Sequence, residues 1–206
     1  MLPRDLPRPQ SPNWESSVAE CVIDLVAASK GGVFVLCTSH ALVKRLGSEL
    51  TAEHGHEMPI LVQGSMSREK LLRNFQRHGD SVLVGTDSFW EGISVKGDAL
   101  RLVIIPRLPF RVPSHPVAQA RYELIEASGR DPFRAWALPE AVLRLRQGFG
   151  RLIRSKSDKG AVAILDRRVH EVWYGKVFLN SLPPAERMTG PTRSISVRLG
   201  DFLGRS

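Results

Sequence analysis

The segment Val33-Phe34-Val35-Leu36-Cys37, which runs into Thr38-Ser39, decides the fold of this chain. It is too short for a helix, and its unbroken run of branched and apolar side chains is typical of a strand buried on both faces. Before it, apolar residues recur from Trp14 onward at the spacing of an amphipathic helix, which Gly31-Gly32 ends. A buried strand beside an amphipathic helix is the repeating unit of α/β proteins.

The same alternation of apolar strands and amphipathic helices continues along the chain. Ser67 is predicted to cap a helix that runs to about Arg77, and Pro106 is predicted to end a strand. The remaining elements are predicted as helices at 40–54, 114–128, 139–154 and 167–180, and as strands at 60–62, 81–84, 100–105 and 161–165. This order predicts an α/β fold, doubly wound, with a mainly parallel sheet and helices on both faces.

The composition supports a folded domain. Of the 206 residues, 42% are hydrophobic and 24% charged, which argues against intrinsic disorder. No apolar run reaches the roughly 18 residues of a membrane span, so we expect no membrane contact. Cys21 and Cys37 sit among apolar neighbours and are expected to be buried, reduced thiols of a cytoplasmic protein. His54 and His56 form a close pair with no cysteine or carboxylate cluster nearby, so we expect no metal site.

Charge is distributed unevenly between the two halves. Residues 1–100 carry 10 basic and 12 acidic side chains, whereas residues 101–206 carry 19 basic and 9 acidic ones. A basic half dominated by arginine is suited to a polyanion, because a guanidinium binds phosphate through two parallel hydrogen bonds. An ordinary solubilising surface has the same charge, so the charge alone leaves both interpretations open.

Polar residues follow several of the predicted strands. They are Thr38-Ser39, Gln63-Gly64, Gly85-Thr86-Asp87 and Asp166-Arg167-Arg168. In open parallel sheets, ligands bind beyond the carboxyl ends of the strands. Small hydroxyl, amide and glycine residues there are suited to holding phosphates.

The segment from Gln147 to Arg154 carries the strongest local signal, with glycines at 148 and 150. On a helix, Arg151 and Arg154 share a face with Gln147. Two guanidiniums and an amide presented together are suited to a γ-phosphate and its developing charge. An ordinary charged helix face would not need the glycines, each of which costs about 1 kcal/mol of helix stability.

A second signal runs from Val84 to Ser94, where a strand leads into hydroxyls, an aromatic pair and a carboxylate. Thr86 and Ser88 are candidates for contacts with a phosphate backbone. Phe89-Trp90 either stack on a base or fill the core beneath the loop.

These motifs, in this order, resemble the second motor domain of a superfamily-2 helicase, and most closely its DinG branch, which is related to XPD. Arg107-Leu108-Pro109-Phe110 and the segment from Tyr174 to Pro184 extend the resemblance, which covers residues 14–184. It implies a RecA-like fold and assigns Thr38-Ser39 to motif IV, residues 85–92 to motif V and residues 147–154 to motif VI. Residues 1–13 are then interpreted as a Pro-rich linker or the tail of a preceding domain, and residues 185–206 as a C-terminal extension.

The resemblance also implies roles for individual residues. Arg151 and Arg154 would complete an ATP site built mainly by another motor domain, with Gln147 supporting them. The nucleotide side would further include Asp87, Glu91, Gly92 and Gly150. The single-stranded DNA track would include Thr38, Ser39, Gln63, Thr86, Ser88 and Arg107.

The departures from a complete motor are equally specific. The sequence has no G-x-x-x-x-G-K-[ST] motif, and Gly175-Lys176 is followed by valine. It also lacks a box of acidic residues for Mg²⁺ and the four cysteines that hold an iron–sulfur cluster in many relatives. We therefore expect one half of a motor, which shares ATP and Mg²⁺ with a first RecA-like domain upstream in the same chain and is inactive alone.

The predicted function is the C-terminal half of an ATP-dependent DNA helicase that moves 5′ to 3′ on single-stranded DNA, a polarity implied only by the resemblance. The alternative is a non-catalytic nucleic-acid-binding module that keeps the fold. The basic second half and the absence of a phosphate-binding Gly-Lys-[Ser/Thr] loop support this alternative. The Gln147, Arg151 and Arg154 set has no use in a pure binding module.

Overall fold

The computed structural model describes residues 1–86, 99–111, 116–150, 152 and 159–204. Its strands are β1 (Leu2–Pro3), β2 (Val33–Leu36), β3 (Ile60–Val62), β4 (Val82–Gly85), β5 (Leu102–Ile105), β6 (Ala161–Ile164) and β7 (Thr189–Gly190). Its α-helices are α1 (Trp14–Ser29), α2 (His40–His54), α3 (Arg68–His78), α4 (Pro116–Ala127), α5 (Leu138–Phe149), α6 (Arg168–Glu171), α7 (Gly175–Ser181) and α8 (Thr192–Gly204). A π-helical turn, Phe133–Ala137, leads directly into α5.

Across the described residues, the main sheet has five parallel strands in the order β3-β4-β2-β5-β6. In sequence order, β3 and β4 follow β2 and lie on one side of it. The chain then passes to the other side of β2, where β5 and β6 extend the sheet. All five strands therefore end at the same edge, which we call the carboxyl edge. The predicted doubly wound, parallel α/β fold is confirmed.

Alternate residues of each strand enter the two layers of the core. On one face, Val33 and Val35 of β2 pack in a cluster with apolar residues of α1, α2 and α8. On the other face, Phe34 and Leu36 pack with residues of α3, α5 and α7. The rings of Phe34 and Phe75 lie 4.6 Å apart in this second layer. Helices on both faces explain why β2 is apolar at every position.

Two of the helices begin at serine caps. The Ser39 hydroxyl accepts from the Leu42 N–H at 3.2 Å at the start of α2, and Ser67 accepts from the Lys70 N–H at 3.4 Å at the start of α3. Because the caps satisfy backbone donors that have no partner within the helix, they fix where each helix begins. Both predicted starts are confirmed.

The stretch between the predicted helices at 114–128 and 139–154 is partly helical, which the sequence did not predict. The Asp131 carboxylate accepts from the Phe133 N–H at 2.9 Å and starts the π-helical turn there. At the other end, α5 stops at Phe149, and Gly150 caps it with an N–H bond to the Arg146 carbonyl. The helix predicted at 139–154 therefore ends earlier than predicted, at Phe149.

The prediction of a single long helix at 167–180 is also wrong. It is divided into α6 and α7, because Val172 is extended and ends α6. Gly175 then begins α7 so close to α6 that an added Cβ would lie 2.3 Å from the Val169 carbonyl oxygen. The last long helix of the described chain is α8 instead, which buries Ile195 and Leu199 near α1.

The N-terminal residues lie against the domain. Met1 bonds to Val162 and Ile164 along the free edge of β6, and β1 pairs in parallel with β7. The Asp5 carboxylate accepts from both the N–H and the hydroxyl of Thr192 at the start of α8. Residues 1–8 thus connect β6, β7 and α8. The predicted division into a linker at 1–13, a motor domain at 14–184 and an extension at 185–206 stays a prediction.

Candidate nucleic-acid interface at the carboxyl edge

The structure brings the residues that follow the strands together at the carboxyl edge. Thr38 is half-buried and Ser39 is exposed at the start of α2. Cys37, just before them, is buried, and burial raises the pKa of its thiol to about 12. The edge therefore presents hydroxyls, whereas the neighbouring thiol stays protonated in the core.

Gln63 and Thr86 are hydrogen-bonded across the ends of β3 and β4. The Gln63 side-chain oxygen accepts from the Thr86 N–H at 2.6 Å and from the Thr86 hydroxyl at 3.0 Å. The Gln63 N–H in turn donates to the Val84 carbonyl at 2.9 Å. These bonds fix two of the predicted track residues relative to each other.

Arg107, which follows β5, lies over the ring of Trp14. Its guanidinium carbon is 5.3 Å from the ring centroid, a cation–π distance, and Trp14 is buried. The sequence interpretation placed Trp14 only at the start of a helix and missed this contact. The signal was weak, because a tryptophan at the first position of an amphipathic helix is an ordinary core residue.

Asp166 joins the ends of β5 and β6. Its buried carboxylate accepts from the Leu108 N–H at 2.8 Å, from the Arg168 N–H at 3.0 Å and from the Arg168 guanidinium at 2.6 Å. Burial lowers the pKa of Arg168, but the hydrogen bonds and charge of Asp166 more than offset it, so the net direction is upward. The two sequence segments 107–110 and 166–168 therefore form one structural unit.

An aromatic cluster lies behind this unit. The Phe110 ring is 5.5 Å from each of the rings of Phe133, Tyr174 and Phe178, and the Arg168 guanidinium lies 5.4 Å from it on the ring face. The sequence placed Phe110 in one motif and Tyr174 and Phe178 in another, and it gave no sign of Phe133, because the cluster joins three distant segments. The cluster supports the carboxyl edge beneath β5 and β6.

The described part of motif VI consists of the end of α5, its cap Gly150 and the buried Leu152. Gln147 is half-buried there, Gly148 is buried and Gly150 is exposed. The other predicted nucleotide and track residues of motifs V and VI, together with Phe89 and Trp90, lie outside the described residues: Asp87, Ser88, Glu91, Gly92, Arg151 and Arg154.

Within the described ranges, no three His, Cys, Asp or Glu side chains come together as a possible metal site. His54 instead contacts the Glu57 carboxylate at 3.3 Å and the Ile23 carbonyl at 3.3 Å. No helix in the described part of the chain is long and apolar enough to cross a membrane.

A family model described as the helicase C-terminal domain matches residues 22–185. The chain belongs to this family. The predicted relation to DinG-type helicases is confirmed, since relatives named YoaA and DinG match most of the chain.

Two relatives show how far the likeness extends. The chain is 46% identical over 186 residues to the ATP-dependent DNA helicase YoaA of Haemophilus influenzae, covering 90% of this chain and 29% of that protein. It is 40% identical over 189 residues to the 3′-5′ exonuclease DinG of Bacillus subtilis, covering 89% of this chain and 20% of that protein. The chain therefore spans less than a third of either relative.

Solved structures support the fold. An XPD helicase aligns with a TM-score of 0.68 at 22% identity, over 91% of this chain and 34% of that one. The C-terminal domain of the DEAD-box protein Dbp5 aligns with a TM-score of 0.60 at 17% identity, over 100% of this chain and 97% of that one. The domain therefore has the RecA-like fold of helicase motor domains.

Proposed function

We propose that this chain is the second motor domain of a DinG/YoaA-type ATP-dependent DNA helicase. In this proposal the domain supplies part of the single-stranded DNA track and the arginine side of an ATP site. The observation that carries the proposal is the Gln63–Thr86 pair, which joins two track residues at the carboxyl edge of a family member.

The DNA track follows from the chemistry of this edge. Thr38, Ser39 and Thr86 offer hydroxyls, and Arg107 offers a guanidinium held over Trp14. Hydroxyls, backbone N–H groups and guanidiniums are the donors that position a phosphate backbone without reading its sequence. Ser88 completes the proposed set. The 5′ to 3′ polarity is part of the proposal and rests on the resemblance alone.

The ATP side is proposed from motif VI. Arg151 and Arg154 follow α5, whose end carries Gln147 and the exposed Gly150. In the complete motor these arginines would neutralise charge on the γ-phosphate as it is transferred, with Asp87, Glu91 and Gly92 on the same side. Arginines used this way raise the rate by about 10³- to 10⁵-fold.

The remaining parts of the ATP site are assigned to a first motor domain upstream. The sequence has no phosphate-binding Gly-Lys-[Ser/Thr] loop. The described residues also do not fit a Mg²⁺ ion, since they bring no carboxylate cluster together. This chain alone is therefore expected to hydrolyse ATP negligibly, and it needs no iron–sulfur cluster of its own.

The test joins the chain to the first motor half of a DinG-type helicase and measures ATP hydrolysis with and without single-stranded DNA. We expect DNA-stimulated turnover that falls by about 10³-fold or more in Arg154→Ala. The matched control is Arg146→Ala, which removes an exposed arginine from α5 of the same segment and should leave turnover unchanged.

The outcomes separate the two candidate functions. Turnover by Arg154→Ala equal to that of the parent protein would overturn the arginine role. If DNA stimulates no turnover but the chain binds DNA in a salt-sensitive way, the non-catalytic binding module is correct. Polarity is measured separately, by unwinding of partial duplexes that carry only a 5′ or only a 3′ single-stranded tail.

A further inference from the structure

Trp173 is an exposed aromatic residue at the rim of the carboxyl edge. It lies in the break between α6 and α7, and 53% of its surface is accessible in the described chain. Its ring meets those of Phe133 and Tyr174 nearly edge-on, with centroids 6.3 and 5.6 Å away. Trp173 is thus held by the aromatic cluster behind Phe110 and still reaches solvent.

Arg134 lies over the ring of Trp173. The guanidinium carbon is 4.7 Å from the ring centroid, and the Arg134 side chain is itself exposed. The Asp131 carboxylate approaches the Arg134 Nε at 3.5 Å, so it orients the guanidinium from the side. Arg134 belongs to the π-helical turn Phe133–Ala137, and such turns occur often at functional sites.

We propose that Trp173 and Arg134 form a stacking site for an unpaired base of single-stranded nucleic acid. The site extends the proposed track beyond Arg107, and it rests on the proposed function. A base stacks on an indole ring or on a guanidinium plane, and neither contact depends on which base is present.

Two observations favour nucleic acid at this surface. First, Phe110 connects the Trp173 rim to Arg107, because it follows Arg107 in the chain and packs against Phe133 and Tyr174. The rim is therefore continuous with the edge proposed to bind the backbone. Second, residues 101–206, to which Trp173, Arg134 and Arg107 all belong, carry 19 basic and 9 acidic side chains, so the surface that they form attracts phosphates.

The experiment measures binding of the 206-residue chain to two fluorescent oligonucleotides of equal length. One is oligo-dT, and the other has the same backbone but abasic sites in place of the bases. Trp173→Ala is expected to weaken oligo-dT binding by about five- to a hundred-fold and to leave abasic binding unchanged. Trp173→Phe should restore most of the loss, because it keeps an aromatic face.

Arg134→Ala is expected to weaken binding to both oligonucleotides, because it removes a charge as well as a stacking surface. The control Phe202→Ala removes an exposed aromatic side chain from α8 and should change neither affinity. If Trp173→Ala binds oligo-dT as tightly as the parent chain does, the stacking site is wrong. If the parent chain binds neither oligonucleotide, the proposed track fails together with the stacking site.

Discussion

The side-chain oxygen of Gln63 accepts two hydrogen bonds from Thr86, one from the backbone N–H at 2.6 Å and one from the hydroxyl at 3.0 Å. The two residues follow β3 and β4, which are adjacent in the sheet. These side-chain hydrogen bonds therefore hold the ends of β3 and β4 together, in addition to the backbone hydrogen bonds of the sheet.

Replacing Gln63 with glutamate is expected to weaken binding to single-stranded DNA while leaving the fold intact. A carboxylate still accepts both bonds from Thr86, but it places a negative charge at an edge proposed to face phosphates. We expect several-fold weaker affinity at low salt, with the difference shrinking as salt is added. Fluorescence anisotropy across a salt series measures this.

The control for that charge change is Gln76→Glu. Gln76 is exposed in the last turn of α3, at the end of the helix away from the carboxyl edge. Equal weakening by Gln76→Glu and Gln63→Glu would mean that net charge, and not the edge, determines DNA affinity.

Asp166→Asn is expected to destabilise the domain by about 3 kcal/mol. The substitution leaves the half-buried Arg168 guanidinium without its counter-charge and turns an amide N–H₂ toward groups that are themselves donors. Urea unfolding followed by circular dichroism measures the loss. Asp201→Asn, at an exposed position of α8, should cost almost nothing, and equal costs for the two variants would contradict the role of Asp166.

The sequence predicted those parts of the fold that are determined by local chemistry. The helix at residues 40–54 was predicted with both ends correct, and the structure shows that the Ser39 hydroxyl caps its start. The β2 strand and its neighbours were evident from unbroken apolar runs that a sheet covered on both faces requires.

The parts that the sequence did not predict depend on distant contacts. The break before α7 arises where Gly175 packs against the Val169 carbonyl, while the apolar spacing continues through it. The contact of Arg107 with Trp14 and the aromatic cluster around Phe110 join segments far apart in the chain. No local pattern specifies such pairs, since they exist only once the sheet is assembled.

Both cysteine thiols are expected to resist alkylation in the folded chain. Burial raises the pKa of Cys21 and of Cys37 to about 12, so at pH 8 only about one thiol in ten thousand is a thiolate. Iodoacetamide should modify both cysteines at the rate of global unfolding, and mass spectrometry of timed samples measures that rate. Rapid labelling of Cys37 without unfolding would show that the strand end at Thr38 opens locally.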